Sequence, residues 1–498
     1  MLATNDVLKR RVRDWPARPV IFCDLARGMI HENGTPIRWD EPAELELVLD
    51  LATVDAWEKE RPSTLYLLGG WNAETTPPAK WFDAPEGWTR LSLNRYPLIA
   101  QYKGPDGHKL TIYGTAQWFG QCASVGLCRK AYLRLRQLLR AIFDEKVTLM
   151  GTPARTGLDL LERSLPRNKD NVPYEYPALD AATHKTLESE IGQGRMECVA
   201  SAATPATDTL YIEDAIWMYA SCIRHLPAPP LHHDEINEFA GYRAGFYRVL
   251  FRVPGDWQHI GLLPVQAVDA RSGATYFYWP DVPGPVEYMS VVGDAELRLA
   301  LENGWSCEIV ERWLFADDRA ANADPLRQFA EKLRALREAV TDEREGKLGK
   351  PLRDAIRALL IKMIGGLHRR GRTTLVETPI ERAEEISVDA EIEEVTPSSI
   401  FWRKPVALDA STRQFAQPHW AAMVWSRARA KLNKQALMVP RECIVWLRSD
   451  ALVLTFDPGW TGTKPGEFRC KRQLQLQGRE IPTTEKDYRE LLGEGREE

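Results

Sequence analysis

Two aspartates stand out by their settings. Leu210-Tyr211-Ile212-Glu213-Asp214 carries Asp214 to the end of an apolar run, and Tyr219 follows five residues later, in the next turn or helix. Far downstream, Cys443-Ile444-Val445-Trp446-Leu447-Arg448-Ser449-Asp450-Ala451-Leu452-Val453-Leu454 puts Asp450 at the polar corner between two apolar runs. Hard divalent cations prefer such carboxylate oxygens. Two corners meeting in one sheet would hold two Mg2+ or Mn2+ ions about 3.5–4 Å apart, the geometry that activates a 3′-hydroxyl and stabilises a leaving pyrophosphate. Taken singly, each aspartate reads equally as a turn or cap residue.

The elements that must position this pair follow from the hydrophobic pattern. Residues 210–214 and 245–253 read as strands, 442–447 and 450–456 as a hairpin, and 418–436 as a helix. Upstream, 18–25, 64–70 and 109–114 read as strands. Residues 132–143 read as a helix with Arg134, Arg136 and Arg140 on its wet side, giving an α/β unit that closes near residue 150. Helices are predicted over 324–339 and 351–367, with a tight turn at Gly365-Gly366. Residues 376–397, with eight acidic side chains against Arg382, are predicted to be a solvated connector.

At roughly 150 residues per domain, 498 residues make two to four folding units. Hydrophobic residues at 44% and charged residues at 27% exclude wholesale disorder and a membrane-embedded body. Lys and Arg number 65 against 70 Asp and Glu, a net charge of −5, which excludes a protein uniformly coated in positive charge. The eight cysteines contain no CxxC pair and read as reduced thiols. The opening residues lack a secretion signal and no run reaches 18 apolar residues, so the expectation is a cytoplasmic protein with no membrane partner. Phosphate-loop, HExxH, GxSxG and GxGxxG signatures are all missing. His232, His233, Asp234 and Glu235 form a tempting ligand cluster, but neighbours in sequence point in different directions, and an exposed loop after the prolines is the expectation.

Between the two aspartates lies a basic stretch in which Arg353, Arg357, Lys362, Arg369, Arg370 and Arg372 face one acid, Asp354. Arginines four apart lie on one helix face, suited to a triphosphate or a nucleic-acid backbone.

In this order the motifs resemble those of the B-family DNA polymerases, particularly the protein-primed branch of phages and linear plasmids. Asp214-Ala-Ile-Trp-Met-Tyr219-Ala is similar to the family's DxxSLYP, with Trp217 for Ser and Ala220 for Pro. Arg448-Ser449-Asp450 is similar to the DTD of YxDTDS, with Arg448 for the first Asp. Arg357 to Gly365 is similar to KxxxNSxYG, with Arg for Lys, Lys362 for Ser and Ile364 for Tyr. The segment 466–472 resembles the family's Lys-containing strand near the primer terminus. At the N-terminus, Asp24-Leu-Ala26 stands where the family's 3′–5′ exonuclease has DxE, with Ala26 for Glu. Leu68 to Asn72 and Gly114 supply no further acid.

The resemblance implies an α/β and α+β multidomain chain, a ribonuclease H-like, degenerate exonuclease domain followed by a right-hand palm, fingers and thumb. Expected boundaries are 1–165 for the exonuclease-like domain, 166–300 for a connector and first palm segment, 301–375 for fingers, 376–460 for the acidic connector and second palm segment, and 461–498 for a small thumb. It implies Asp214 and Asp450 as metal ligands and catalytic residues, and Tyr219, Arg357, Lys362 and Gly365 at the nucleotide. Arg353, Arg369, Arg370 and Lys471 are implied on DNA, and Asp24 as a vestige. The expected partners are a DNA primer-template, dNTP and a terminal or priming protein, for which 269–304 lies in a suitable place, in a bacterial, phage or plasmid setting. The expected function is template-directed DNA synthesis without proofreading. The alternative is a catalytically degenerate relative that binds nucleic acid as a replication scaffold, and a nuclease using Asp24 is the third reading.

Overall fold

The computed structural model describes residues 20–32, 34–54, 63–68, 79–95, 98–120, 122–167, 176, 179–236, 238–241, 243–270, 273–316, 324–368, 372–386, 391–395, 399–406 and 417–492. The N-terminal sheet contains β1 (Val20–Asp24), β2 (Gly28–His31), β3 (Pro36–Arg38), β4 (Ser63–Leu67), β5 (Thr89–Arg95), β6 (Leu98–Lys103) and β7 (Lys109–Gly114), in the order β3-β2-β1-β4-β7-β6-β5. The central strands β1, β4 and β7 run parallel, and both of their faces are covered, which is why they read as unbroken apolar runs. Val20, Phe22 and Tyr66 face one core with the helix Val125–Ile142. Ile21, Cys23, Leu65 and Leu67 face another with Val48 and Leu49 of the helix Leu45–Val54.

The helix Val125–Ile142 begins seven residues before the predicted start, because Ser124 caps it by accepting from the Leu127 amide at 3.2 Å. Its arginines do not form the solvated face expected of them. Arg134 binds Glu345 at 2.6 Å, Arg136 pairs with Glu32, and Arg140 Nε donates to the Val147 carbonyl at 3.0 Å. They tether the helix to its surroundings.

Strands β8 (Met196–Cys198) and β9 (Thr209–Ala215) precede a second, antiparallel sheet of β10 (Leu231–Asp234), β11 (Gly245–Phe251), β14 (Tyr288–Gly293) and β15 (Cys307–Phe315), ordered β10-β15-β11-β14; β12 (Val265–Val268) and β13 (Thr275–Tyr278) form a hairpin between β11 and β14. Three of the four members of the histidine cluster are therefore not in a loop: His232, His233 and Asp234 belong to β10, with His233 bound to Glu311 at 2.8 Å and Asp234 to Arg312 at 2.7 Å, and Glu235 follows the strand. The predicted acidic connector is also structured. Strands β16 (Arg372–Pro379), β17 (Glu391–Val395) and β18 (Ser399–Val406) make a three-stranded antiparallel sheet, β16-β18-β17, in which the buried Trp402 donates to Thr378 Oγ1 at 2.9 Å. Backbone register sets the pairing, with Thr378 opposite Ile400 and Ile392 opposite Trp402.

Strands β19 (Ile444–Arg448), β20 (Ala451–Leu454) and β21 (Phe468–Gln475) return to β8 and β9, forming the sheet β21-β9-β20-β19-β8. The helix Pro418–Ala436 matches its predicted bounds, starting with Pro at N1. The helix Gly349–Leu367 runs unbroken through Gly365 and Gly366, so the predicted turn there does not exist. Gly366 instead lets the helix sit against Leu158, whose side chain lies 3.1 Å from where a Cβ would be. Arg369 and Arg370 lie outside the described residues, as do Gly69 to Asn72. No helix among the described residues is long and apolar enough to cross a membrane.

Candidate active site

Cross-strand register brings the two aspartates together. On β9, Asp214 is directly opposite Ala451 of β20, and the Ala215 amide donates to the Asp450 carbonyl at 2.8 Å. Asp450 occupies the corner between β19 and β20, where Ser449 turns the chain with φ 55°. A left-handed residue is what a two-residue hairpin needs. Burial pushes the Asp450 carboxyl up and the charge of Asp214 pushes it further, opposed by Arg357 and Lys471. Each acid has a cation on it: Lys471 Nζ lies 3.1 Å from Asp214 Oδ2, and Arg357 lies 3.5 Å from Asp450 Oδ2.

Lys471 reaches Asp214 because of a bulge. Arg469 pairs with Asp214, Cys470 with Glu213 and Arg472 with Ile212, leaving Lys471 outside the ladder. Tyr219, on the short helix Met218–Ile223, turns its hydroxyl to Ser449, and burial together with the Asp450 charge pushes it up to about 12. Thus Asp214, Asp450, Tyr219, Arg357 and Lys471 converge. Arg353 does not join them and binds Asp342 at 2.8 Å. Lys362 is exposed and makes no ion pair among the described residues, and Gly365 lies in a regular helix with open space around it. Arg448, in the position of the missing acid, sits 5.0 Å over the Tyr488 ring.

The frame behind the corner was hardly legible from local pattern. A Cβ at Gly194 would lie 3.2 Å from both the Ser449 and the Tyr219 oxygens, and the Ser449 amide donates to the Arg195 carbonyl at 2.6 Å. Arg195 is fully buried, donating to Gly261 O at 2.8 Å and Asn433 Oδ1 at 2.7 Å. Arg429 is paired with Glu296 at 2.6 Å, both completely buried, and also holds the carbonyls of Gly192 and Gln193. The only local signal is the closely spaced Gly192 and Gly194 before an arginine; the partners lie far off in sequence.

Among the described residues, no group of three or more His, Cys, Asp and Glu side chains comes together. The donor set is therefore a carboxylate pair. Hard oxygen ligands of this kind suit Mg2+ or Mn2+, and burial together with the charge of Asp214 keeps the Asp450 carboxyl raised even with Arg357 and Lys471 beside the pair. At the N-terminus, Asp24 ends β1 and accepts from the Ala26 amide at 3.0 Å, closing the turn into β2.

Comparison with family models and with curated proteins finds no match. Solved structures do match in fold. Phi29 DNA polymerase complexed with primer-template DNA aligns with a TM-score of 0.56 at 11% identity, over 92% of this chain and 85% of that one. Its complex with primer-template DNA and incoming nucleotide aligns with a TM-score of 0.55 at 12% identity, with the same coverage. The likeness is one of fold, a mixed α/β multidomain architecture shared over most of both chains.

Proposed function

We propose that the chain is a template-directed DNA polymerase that transfers a nucleotide from dNTP to a primer 3′-hydroxyl. The observation that carries this reading is the convergence of Asp214 and Asp450 at one sheet corner, within a fold like that of phi29 DNA polymerase. In it, β8, β9 and β19–β21 act as palm, the helices 327–339 and 349–367 as fingers, the C-terminal residues as a small thumb, and the N-terminal sheet as a degenerate exonuclease-like domain that keeps only Asp24 of its acids. Asp214 and Asp450 would hold Mg2+ or Mn2+, which supplies Lewis-acid activation of the hydroxyl and charge stabilisation of the departing phosphate. In the transfer, the 3′-oxygen bonds to the α-phosphorus, the bond from that phosphorus to the α–β bridging oxygen breaks, pyrophosphate leaves, and the hydroxyl proton passes to solvent.

The chain's own groups do the rest. Tyr219, kept protonated and pinned by Ser449, offers a flat ring edge to the sugar. Arg357 and Lys471 sit beside the acids and turn to nucleotide and primer phosphates once these arrive. The partners are DNA and dNTP, and a priming protein belongs to the same proposal.

A second reading has its own support. Both acids are already neutralised by internal cations and Arg448 replaces a carboxylate, as expected of a polymerase-like scaffold that binds nucleic acid without chemistry. Primer extension with Mg2+ or Mn2+ separates the two. Incorporation that falls by about a hundredfold or more in Asp214→Ala and Asp450→Ala supports the enzyme. Tight DNA binding with no incorporation in the unaltered chain supports the scaffold.

A further inference from the structure

The corner that carries Asp450 is braced from behind. Its turn residue, Ser449, is in the left-handed region, and the Ser449 amide donates outside the β19–β20 hairpin, to the Arg195 carbonyl at 2.6 Å. Asp450 is the next residue, so the place of Arg195 bears directly on the place of the carboxylate.

The Arg195 side chain is completely buried, and each of its edges is engaged. Nη1 donates to the Gly261 carbonyl at 2.8 Å and to Asn433 Oδ1 at 2.7 Å, Nε donates to Glu197 Oε2 at 2.9 Å, and Nη2 meets the same oxygen. Its face lies 4.8 Å over the ring of Trp279, the residue that follows β13. The buried indole N–H of Trp279 has no acceptor among the described residues, so the ring is there for its face. Burial disfavours the charge of Arg195, with Glu197 and Asp281 opposing this. An apolar side chain of equal bulk would fill the space without that desolvation penalty. It would not fix a direction, whereas a planar fork with partners on three separate segments has one orientation.

The loop on which Arg195 stands is held from the same side. Phe277 of β13 lies 2.9 Å from where a Cβ on Gly192 would be, and Gln266 of β12 donates to the Ser189 carbonyl at 3.0 Å. A Cβ on Gly261 would meet the carbonyls of Trp279 and Pro280 at 2.6 and 2.4 Å. The β12–β13 hairpin thus clamps residues 189–195, and β8, which follows them, pairs Glu197 with Leu447 and Met196 with Arg448, up to the corner itself.

We propose that Arg195 is a positioning residue for the carboxylate pair: its guanidinium, seated on Trp279, carries the hold of the β12–β13 hairpin through its own carbonyl to Ser449, and so fixes Asp450. What the corner is fixed for rests on the nucleotidyl-transfer reading; the bracing does not. A misplacement of about 1 Å at a reacting centre can slow the chemical step about a hundredfold, so the brace acts on turnover and not on nucleotide affinity.

The test is hydrogen–deuterium exchange of the full chain without metal, read at residues 447–451 and, for reference, at β1 and β4. Arg195→Met keeps the bulk without the fork and should speed exchange at the corner about tenfold or more, with the reference strands unchanged. Arg195→Lys, which keeps a donor without the fork, should fall between Arg195→Met and the unaltered chain. Should Arg195→Met fail to fold, Glu197→Gln, at a partly exposed position, must speed the corner about threefold instead. In primer extension, Arg195→Met should lower kcat about tenfold or more and leave KM for dNTP within about twofold. Corner exchange matching that of the unaltered chain would overturn the proposal. So would equal acceleration at the corner and at β1 and β4, the mark of a residue that merely holds the core together, or a raised KM with kcat unchanged. A corner that loosens selectively in a chain that never incorporates nucleotide would keep the brace and remove the polymerase reading.

Discussion

Asp214 and Asp450 were legible because each ends an apolar run, and a run of that kind has few places to end other than a sheet edge. Their cations were not legible, since Lys471 reaches Asp214 only through a bulge and Arg357 reaches Asp450 across a helix packed by distant residues. Gly365 misled for a plain reason: paired glycines read as a turn, yet here both lie inside a helix, and only Gly366 serves close packing, against Leu158. His419 shows what burial does to a titratable ring away from the carboxylate pair. It is fully buried with both ring nitrogens unpaired, between Phe315 and Trp420, and burial pushes it down to about 3. A folded value below the unfolded one of about 6.5 means that its contribution is intact above pH 6.5 and is lost as pH falls toward 3. Between pH 7 and 5 the unaltered chain should lose about 2 kcal/mol that His419→Phe keeps, measured as the difference between their urea unfolding curves at the two pH values.

At the scale of elements, the helix Gly349–Leu367 is held by close contact with the helix Pro153–Ser164. A Cβ on Gly157 would meet the Leu359 carbonyl and Met363 Cβ, each at 2.7 Å. Gly157→Ala should therefore destabilise by about 1–3 kcal/mol, and Gly365→Ala, with nothing near it, should stabilise by about 0.5–1 kcal/mol. Thermal unfolding of the two variants checks both signs, and undiminished primer extension in Gly365→Ala would remove this glycine from the nucleotide site. The bulge at Lys471 makes a separate prediction. Every neighbour of Lys471 on β21 has a partner on β9 without it, so deleting this one residue should leave the sheet intact while stripping Asp214 of its cation. The deletion should then take up Mn2+ about tenfold more tightly by titration; unaltered affinity would show that the ion pair does not guard the acids. Helix 418–436 and the 444–454 hairpin were readable from periodicity alone, but the 372–406 sheet was not, because its run of acidic residues reads as a solvated connector.

Across the whole molecule, one core runs without a break from Val20, Phe22 and Tyr66 of the N-terminal sheet, through Leu359 and Met363, to Leu452, Leu454 and Phe468 beside the carboxylate corner. Sequence suggested separable domains, since linkers and composition shifts mark boundaries while shared packing leaves no local trace. Removal of residues 1–165 should thus yield an aggregating product instead of a faster or less accurate enzyme, as sedimentation of the truncated chain would reveal. A soluble, monodisperse fragment would contradict that continuity. The N-terminal sheet keeps Asp24 in the turn from β1 to β2, and its apolar face is the bedding on which the helix Val125–Ile142 lies. Whatever reaction the chain performs, that sheet is kept as masonry, its sequence constrained by what leans on it.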